Sequence, residues 1–468
     1  MRYISTRGRS GSRDFDDVLL AGLAPDGGLF LPESYPEFAA ADWRALRGLP
    51  YADMAARVMF PFLGGAWRFE TFHALVEDAY RDFGHPAVAP LVQVDERRFI
   101  LELFHGPTLA FKDVAMQFLG RMFDHVLAAR DQRITIVGAT SGDTGSAAIA
   151  AVAGLSRARI TMLHPEGRVS PVQRRQMTTV DAPNVTNLAV AGSFDDCQDL
   201  VKAMFADADF RAEMNLSAVN SINWARVVAQ VPYYVAAALA LGAPDRPVAF
   251  SVPTGNFGNV LAGWVAGRMG LPIERLVVGT NRNDILARFL AANDMRIDAV
   301  APSLSPSMDI QVSSNFERLL FELLGRDGAR TEATMQAFRA TGHMPVPDAA
   351  WRAATQGFAG FALDDPGTLG VIEQTWRATG MLIDPHTAIG LAAARACGPQ
   401  DRAVPVVALG TAHPAKFSDA VEAATGLRPP LPSHLADLFE RPERCTSVAN
   451  DLGAVQRAVR ATANLVSA

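Results

Sequence analysis

The pattern of apolar and polar positions changes at about residue 95. Before that point, the turn-rich segment Pro25-Asp26-Gly27-Gly28 is followed by helical patterns over residues 51–63 and 71–83. From residue 98, short apolar runs typical of buried strands alternate with longer stretches whose apolar residues recur every three or four positions. We therefore predict a separate amino-terminal domain over residues 1–95 and an α/β region over residues 96–468.

The alternation predicts a doubly wound parallel sheet, because successive parallel strands need crossover helices. The predicted strands are residues 99–104, 134–137, 159–163, 185–190, 248–252, 276–280 and 404–409. The predicted helices are residues 109–129, 146–153, a segment ending at 179, a segment after Ser193, 224–241 and 260–269. Ser193 with Asp196 predicts a capping box. Residues 301–380 depart from the alternation and are predicted to be a mostly helical elaboration.

Composition excludes several classes of protein. The chain has 468 residues, more than one hydrophobic core usually organises, with 49% hydrophobic and 20% charged residues. A net charge of −6 without a basic run argues against nucleic-acid binding. The apolar stretch 233–241 falls well short of the roughly 20 residues that span a bilayer. Residues 1–15 lack the apolar core of a secretory signal, so we expect a cytoplasmic protein without membrane contact.

The three cysteines, Cys197, Cys397 and Cys445, are far apart and predict neither a disulfide framework nor a metal site. Lysine is also rare, since arginine supplies almost all of the basic residues. The 43 basic residues include only Lys112, Lys202 and Lys416. An amine, unlike a guanidinium, can lose its proton and form a Schiff base. Lys112 is therefore a candidate for covalent chemistry, and an ordinary surface lysine is the alternative.

Three predicted strands open into loops of glycine, serine, threonine and asparagine, at residues 140–146, 254–259 and 410–411. Backbone amides at such a strand-to-helix junction bind anions, and the helix dipole adds to the attraction. Two such loops suggest a cofactor phosphate and a substrate carboxylate, although tight turns alone would also explain the glycines. Neither a Walker pattern nor Gly-x-Gly-x-x-Gly occurs. An amine and a phosphate site are the parts that pyridoxal phosphate requires.

The segment His105-Gly-Pro-Thr-Leu-Ala-Phe-Lys-Asp113 resembles the Schiff-base segment of threonine synthases, pyridoxal-phosphate enzymes of the tryptophan-synthase-β fold type. Further blocks resemble that family in its order: Tyr3-Ile-Ser-Thr-Arg-Gly8, Ser141-Gly-Asp-Thr-Gly145, Gly167-Arg-Val-Ser-Pro171, Asn220-Ser-Ile-Asn-Trp-Ala-Arg226, Pro253-Thr-Gly-Asn-Phe-Gly-Asn259, Met308-Asp-Ile-Gln-Val-Ser-Ser-Asn-Phe316, Asp384-Pro-His-Thr387 and Gly410-Thr411. Residues 1–95 resemble the accessory domain of the family's longer bacterial and fungal branch. The resemblance implies an α/β, fold-type II enzyme with two doubly wound parallel-sheet subdomains plus that accessory domain. The smaller subdomain, about residues 125–225, would be inserted in the larger.

Carried over residue by residue, the resemblance implies that Lys112 holds pyridoxal 5'-phosphate. The cofactor phosphate would be bound by Gly255, Asn256, Phe257, Gly258 and Asn259, and Thr411 would meet the pyridine nitrogen. The loop Ser141, Gly142, Asp143 and Thr144 would lie near the substrate carboxylate, with Asp143 also near the cofactor's ring hydroxyl. Asn223 and Arg226 would lie near the substrate phosphate, and a buried structural turn is the alternative for this pair.

The implied reaction converts O-phospho-L-homoserine and water into L-threonine and phosphate, a carbon–oxygen lyase reaction and the last step of threonine biosynthesis. We expect no metal, no nucleic-acid partner and a monomer or homodimer. Two alternatives stay open. A deaminating lyase or phospho-lyase of the same fold type would use the same cofactor site, and a non-catalytic paralogue would bind the cofactor without turnover.

Overall fold

A computed structural model describes residues 1–65, 67–218 and 220–464. The chain divides into two compact units. Unit 1 comprises Met1–Glu77, Phe83–His105 and Ser221–Pro429, and unit 2 comprises Asp78–Asp82, Gly106–Asn220 and the chain from Pro430 onward. Residues of the predicted accessory domain thus fall mainly in unit 1, and the predicted domain boundaries stay predictions.

The elements of the described chain are numbered here in chain order. The strands are β1 (Tyr3–Ser5), β2 (Phe30–Pro32), β3 (Leu91–Gln93), β4 (Arg98–Glu102), β5 (Ile134–Ala139), β6 (Ala158–Pro165), β7 (Val185–Val190), β8 (Leu216–Ser217), β9 (Val248–Pro253), β10 (Ile273–Thr280), β11 (Phe358–Ala362), β12 (Val406–Gly410) and β13 (Thr446–Val448). The helices are α1 (Phe15–Ala21), α2 (Ala40–Ala45), α3 (Tyr51–Met59), α4 (Phe69–Tyr80), α5 (Lys112–Ala129), α6 (Asp143–Val152), α7 (Pro171–Thr178), α8 (Phe194–Ala206), α9 (Ala208–Met214), α10 (Trp224–Val228), α11 (Val231–Ala240), α12 (Gly258–Arg268), α13 (Ile285–Ala292), α14 (Phe316–Leu323), α15 (Gly328–Thr341), α16 (Asp348–Thr355), α17 (Asp365–Thr379), α18 (Pro385–Cys397), α19 (Ser418–Thr425) and α20 (Leu452–Asn464).

Unit 1 is built on a six-stranded sheet in the order β11-β10-β9-β12-β4-β3. Its pairings are parallel except for the antiparallel pair β3–β4. The central strands β9 and β12 are buried along their whole length, as expected when helices cover both faces of a parallel sheet. Because β9 and β12 are parallel neighbours, the loops that follow Pro253 and Gly410 leave the sheet at the same edge.

Unit 2 is built on a five-stranded sheet in the order β13-β7-β6-β5-β8, with parallel pairing throughout. Its core includes Val137, Leu163 and Leu188 from the strands, and Val455 and Val459 from α20. The predicted fold class, an α/β protein with doubly wound parallel sheets, is confirmed in both units.

Several predicted boundaries change for local reasons. Helix α5 begins at Lys112 rather than at residue 109, because Leu109 has a left-handed backbone with φ of 62°. The helix predicted over residues 224–241 is two helices, α10 and α11, and Pro232 stands in the first turn of the second, where its missing N–H is tolerated. The capping box is confirmed: the Ser193 and Asp196 side chains each accept a hydrogen bond from the other residue's backbone N–H.

The mostly helical segment 301–380 also contributes the edge strand β11, which the sequence pattern did not predict. This strand, Phe-Ala-Gly-Phe-Ala, is only half-buried and has no alternation of apolar with polar residues. In the described residues, no helix is both long and apolar enough to cross a membrane. Nor do three or more histidine, cysteine or acidic side chains of that same part of the chain form a group suited to a metal ion.

Candidate active site

Lys112 is the first residue of α5, and the loop before it is fixed by the next residue along the chain. The fully buried Asp113 carboxylate accepts hydrogen bonds from the Thr108 backbone N–H at 2.9 Å and from the Thr108 hydroxyl at 2.6 Å. A side chain at Gly106 would collide with Asp113, so the loop can approach this closely only with glycine there. The turn and the helix start therefore set the direction of the Lys112 side chain.

The Lys112 amine lies beside a buried carboxylate. Its Nζ is 3.3 Å from Asp143 Oδ2, and the two side chains are only 11% and 6% exposed. Asp143 is held from the other side, where its Oδ1 accepts a hydrogen bond of 2.8 Å from Gln173 Nε2. The Ser170 hydroxyl in turn donates to Gln173 Oε1 at 2.9 Å. Ser170 and Gln173 thus position the Asp143 carboxylate, and this carboxylate in turn positions the Lys112 amine.

The loop that carries Asp143 is tied by Thr140, whose hydroxyl oxygen accepts hydrogen bonds from the N–H groups of Gly142 and Gly145 at 3.0 and 2.9 Å. Gly142 has φ of 145°, and a Cβ there would lie 2.5 Å from the Gln173 side chain. Helix α6 begins at Asp143, inside the predicted loop. Ser141 is exposed and Thr144 half-buried. Unit 2 therefore brings Lys112 together with Asp143 of the predicted substrate loop.

The predicted phosphate loop, residues 255–259, joins β9 to α12 in unit 1. Phe257 has a left-handed backbone with φ of 61°, and its buried ring packs edge-on against Phe316 at 5.5 Å between centroids. The ring is thus an anchor in the core, and the backbone of the loop is left to meet a ligand. Gly258 is the first residue of α12, where N–H groups have no partner within the helix.

The segment before α14 holds this loop from the side. The Ser313 hydroxyl donates to the Gly255 carbonyl at 2.8 Å, and Asn315 donates to the Asn256 carbonyl from its backbone N–H at 3.1 Å and from Nδ2 at 3.0 Å. A Cβ at Gly255 would lie 2.6 Å from the Ser307 carbonyl oxygen. Ser313 and Asn315 lie in the block 308–316, which resembles the family by sequence, but the sequence alone predicted no role for either residue. The block itself was the signal that could have found them.

The two polar atoms of the Asn259 side chain differ in their hydrogen bonding. Its Oδ1 lies 2.6 Å from the Tyr233 hydroxyl and 2.8 Å from the Tyr234 hydroxyl, whereas its buried Nδ2 has no hydrogen-bond partner among the described residues. The Tyr233 hydroxyl also lies 3.1 Å from Gln230 Oε1, and Gln230 Nε2 donates to the Arg226 carbonyl at 2.6 Å. A continuous network therefore links the phosphate loop to α10.

Arg226 and Asn223, both at α10, differ in what their side chains do. Asn223 donates to the Leu19 carbonyl at 2.8 Å and accepts from the Ala225 N–H at 3.0 Å, so it caps the helix. Arg226 is 5% exposed, and its Nε and Nη1 have no hydrogen-bond partner within the described part of the chain. Burial lowers the pKa of the Arg226 guanidinium to about 10, which leaves it positively charged at neutral pH. A buried cation with unused donors suits an anionic ligand.

Thr411 directly follows β12 and is 5% exposed. It lies at the edge of the sheet from which the loop 255–259 also extends. The predicted site residues thus form two sets. Unit 1 holds Asn223, Arg226, Gly255, Asn256, Phe257, Gly258, Asn259 and Thr411, and unit 2 holds Lys112, Ser141, Gly142, Asp143 and Thr144. Their predicted roles stay predictions.

Three family models match the chain along its length. They are described as "Threonine synthase N terminus" at residues 2–80, "Pyridoxal-phosphate dependent enzyme" at residues 86–411 and "Threonine synthase, C-terminal" at residues 387–459.

Among characterised proteins, the chain is 55% identical to a threonine synthase of Pseudomonas aeruginosa, with 97% of each chain covered. It is 41% identical to one of Saccharomyces cerevisiae, with 90% of this chain and 88% of the relative covered. A solved structure of PLP-bound threonine synthase from Brucella melitensis matches with a TM-score of 0.97 at 53% identity, covering 99% of both chains. The yeast threonine synthase structure matches with a TM-score of 0.94 at 38% identity, again over 99% of both chains.

Proposed function

The chain belongs to the threonine synthase family, and on that premise we propose that it converts O-phospho-L-homoserine and water into L-threonine and inorganic phosphate. The observation that carries the proposal is the buried amine of Lys112, 3.3 Å from the Asp143 carboxylate. Removal of the amine from water is one way in which proteins activate a lysine for covalent catalysis, and the carboxylate fixes the position of the amine.

The residues fit pyridoxal phosphate, the family's cofactor. Lys112 is the amine that would hold it, and it begins a helix whose entry loop is rigid. The amides at the start of α12, and Nδ2 of Asn259, which has no partner among the described residues, are donors for its phosphate. The Thr411 hydroxyl would meet the ring nitrogen, as the resemblance implies. When bound, the cofactor stabilises negative charge that develops on the substrate carbons.

We assign the proton transfers to Lys112. Its amine takes the proton from the α carbon of the substrate and gives that proton up before it takes one from the β carbon; its place in a buried site keeps it within reach of both carbons. Asp143 orients the amine, and Gln173 orients Asp143. Phosphate leaves from the γ carbon, and a proton is delivered there. Water adds its hydroxyl at the β carbon, a proton returns to the α carbon, and the remaining proton leaves with the phosphate.

The substrate has two anionic groups, and the chain offers a donor set for each. The turn Ser141, Gly142 and Thr144 opens α6 and would hold the carboxylate through backbone amides and hydroxyls. Arg226, buried and with two unused donors, would hold the phosphate. Asn223 would support Arg226 indirectly by capping α10.

The test is Lys112→Arg, which keeps the charge but removes the reactive amine. We expect the variant to lose the visible absorbance of the bound cofactor and all turnover of O-phosphohomoserine. Lys202→Arg is the matched control, since Lys202 is exposed and forms a surface ion pair with Asp199 one helical turn away. A Lys112→Arg protein that retained both absorbance and turnover would refute the assignment.

Product analysis separates the two alternatives. Threonine with an equal amount of phosphate supports the proposal, and a 2-oxo acid indicates the deaminating lyase. Unchanged substrate after long incubation with cofactor-loaded protein indicates the non-catalytic paralogue.

We further propose that the enzyme acts in the cytoplasm, on a small-molecule substrate and without nucleic acid, as a monomer or homodimer. Its cysteines support a reducing compartment: all three are free, and burial raises the pKa of the Cys197 thiol to about 11. Light scattering of the purified protein decides between monomer and homodimer.

A further inference from the structure

Asp384 and His386 form a buried pair at the start of α18, with 0% and 4% exposure. The Asp384 carboxylate caps the helix, accepting hydrogen bonds of 3.0 Å from the N–H groups of His386 and Thr387 and another from the Thr387 hydroxyl. It also lies 2.7 Å from His386 Nδ1. A carboxylate only accepts hydrogen bonds, so Nδ1 carries a proton, and in the neutral imidazole Nε2 is then an acceptor.

The contact with the capping carboxylate involves only Nδ1 and leaves the other ring nitrogen of His386, Nε2, without a role. Nε2 is buried and has no hydrogen-bond partner among the described residues. The ring is fixed in place by Phe417, whose ring meets it edge-on at 4.8 Å between centroids. A buried acceptor left unpaired costs about 1–3 kcal/mol, and a hydrogen bond from a ligand's donor would offset that cost.

The pair lies at the ligand edge of the unit 1 sheet. Helix α18 runs antiparallel to the strands, because Ser251 near the end of β9 donates to the Gly390 carbonyl at 2.6 Å, whereas Arg275 near the start of β10 donates to the Cys397 carbonyl. A Cβ at Gly390 would lie 3.1 Å from Pro253, the last residue of β9. His386 precedes Gly390 by one helical turn. It therefore lies at the edge from which the loop 255–259 and Thr411 extend.

We propose that His386 is a further binding residue of this site, whose Nε2 accepts a hydrogen bond from a donor of the bound cofactor or the bound substrate. Asp384 fixes the tautomer that makes this possible. The proposal rests on the proposed function for the identity of the ligands. It adds an acceptor to a site whose other unused groups in unit 1, Asn259 Nδ2 and the Arg226 guanidinium, are donors.

Two isosteric substitutions separate the ligand contact from the helix cap. The amide of His386→Asn reproduces the Nδ1 donor toward Asp384 but places nothing at Nε2. The longer amide of His386→Gln places a polar group near Nε2 and loses the donor to Asp384. We expect His386→Asn to melt within about 2 °C of the wild type and to bind ligand about tenfold more weakly. His386→Gln should melt lower and bind better than His386→Asn. His343→Asn, an exposed histidine of unit 1, is the control.

Two measurements identify the donor. Spectrophotometric titration of the cofactor-free protein with pyridoxal phosphate gives the cofactor dissociation constant, and steady-state kinetics gives KM and kcat. A tenfold weaker cofactor titration places the donor on the cofactor, and a raised KM with normal cofactor binding places it on the substrate. The cofactor titration needs no turnover, so it stays informative if the proposed reaction is wrong.

The proposal is overturned if His386→Asn matches the wild type in both measurements while His386→Gln loses stability, since the pair is then only a helix cap. If neither variant folds, an NMR measurement on the wild-type protein tests the proposal. In that case, ¹⁵N-histidine NMR should show the Nε2 signal of His386 moving when cofactor or substrate is added. A signal that moves with neither ligand overturns the proposal as well.

Discussion

Arg226 and Arg318 are both buried in unit 1, and the fold uses them in different ways. Arg318 donates to the Phe30 carbonyl at 2.8 Å and to the Ile222 carbonyl at 2.6 Å, and its guanidinium lies over the Trp224 ring. Arg226 leaves Nε and Nη1 unpaired among the described residues. Burial lowers the pKa of both, to about 9 for Arg318 and about 10 for Arg226. Arg318 thus stabilises the fold through its hydrogen bonds. The buried charge of Arg226 has no such structural pairing for Nε and Nη1, and an anionic ligand would provide it.

Replacing Arg226 with methionine separates these roles. Because the pKa of Arg226 is lowered from 12.5 to about 10, the charged form destabilises the folded state at every pH below about 10, and methionine lacks that penalty. We expect Arg226→Met to melt at or above the wild-type temperature at neutral pH. Its KM for O-phosphohomoserine should rise by about 10- to 100-fold, since a charge-assisted hydrogen bond contributes about 1.5–3 kcal/mol.

Arg318→Met is the matched control and should behave in the opposite way. It leaves the buried Phe30 carbonyl, the partly buried Ile222 carbonyl and Asn315 Oδ1 without the donors that Arg318 supplies, and we expect a loss of about 2–4 kcal/mol in the free energy of unfolding. Chemical denaturation measures both variants. An Arg226→Met protein as destabilised as Arg318→Met, with an unchanged KM, would show that Arg226 is a structural residue.

At the scale of elements, strand-loop-helix junctions are what the sequence predicts best. The run Val-Ala-Phe-Ser-Val before Pro253 and the small-residue helix after Asn259 have local periodicities, and the structure has β9 and α12 there. The supports of the loop come from residues distant in the chain, such as Asn315, and from the tyrosine pair Tyr233 and Tyr234. Periodicity within one segment carries no information about such pairings, so they emerged only from the structure.

Gly255 of the loop and Gly267 of the helix that follows it should respond to alanine with opposite changes in stability. At Gly255, a Cβ would lie 2.6 Å from the Ser307 carbonyl oxygen, so the loop or the turn at 306–308 must move. We expect Gly255→Ala to lose about 1–3 kcal/mol and to bind pyridoxal phosphate at least about tenfold more weakly. Gly267, within α12, has open space around it, so Gly267→Ala should gain about 0.5–1 kcal/mol from helix propensity.

Cofactor titration and thermal melting of these two variants check the prediction. Unchanged cofactor affinity in Gly255→Ala would mean that the close approach of this loop to the 306–308 turn has no bearing on binding. A destabilised Gly267→Ala would mean instead that α12 as a whole does not tolerate an added methyl group.

At the scale of the whole molecule, both sheets are completed by chain segments far apart in sequence. In unit 1, β12 pairs with β4 on one side and β9 on the other. In unit 2, β13 from the carboxyl-terminal tail pairs with β7. The predicted strands do not include β13, since a three-residue strand is too short to show a period. Its contribution to unit 2, which also carries Lys112, is therefore a property of the tertiary structure.

A charge placed where α20 of the carboxyl-terminal tail packs against the core of unit 2 should destabilise that unit. Val455, on α20, is 0% exposed and packs in the same core as Leu188 of β7. We expect Val455→Asp to lose at least about 3 kcal/mol, because it buries a carboxylate without a partner. Hydrogen exchange should then speed up across β7 and α8, and the cofactor's visible absorbance should melt at a lower temperature, since Lys112 belongs to unit 2.

Arg457→Asp is the control, because Arg457 is an exposed residue of the same helix. It should leave both the exchange pattern and the melting of the absorbance within about 0.5 kcal/mol of the wild type, as expected for a surface position. Equal effects from the two aspartates would mean that helix α20 responds to charge alone. Protection lost in β7 and α8 only with Val455→Asp would show that the tail stabilises this sheet by burying apolar surface, and so supports the lysine-bearing unit through packing.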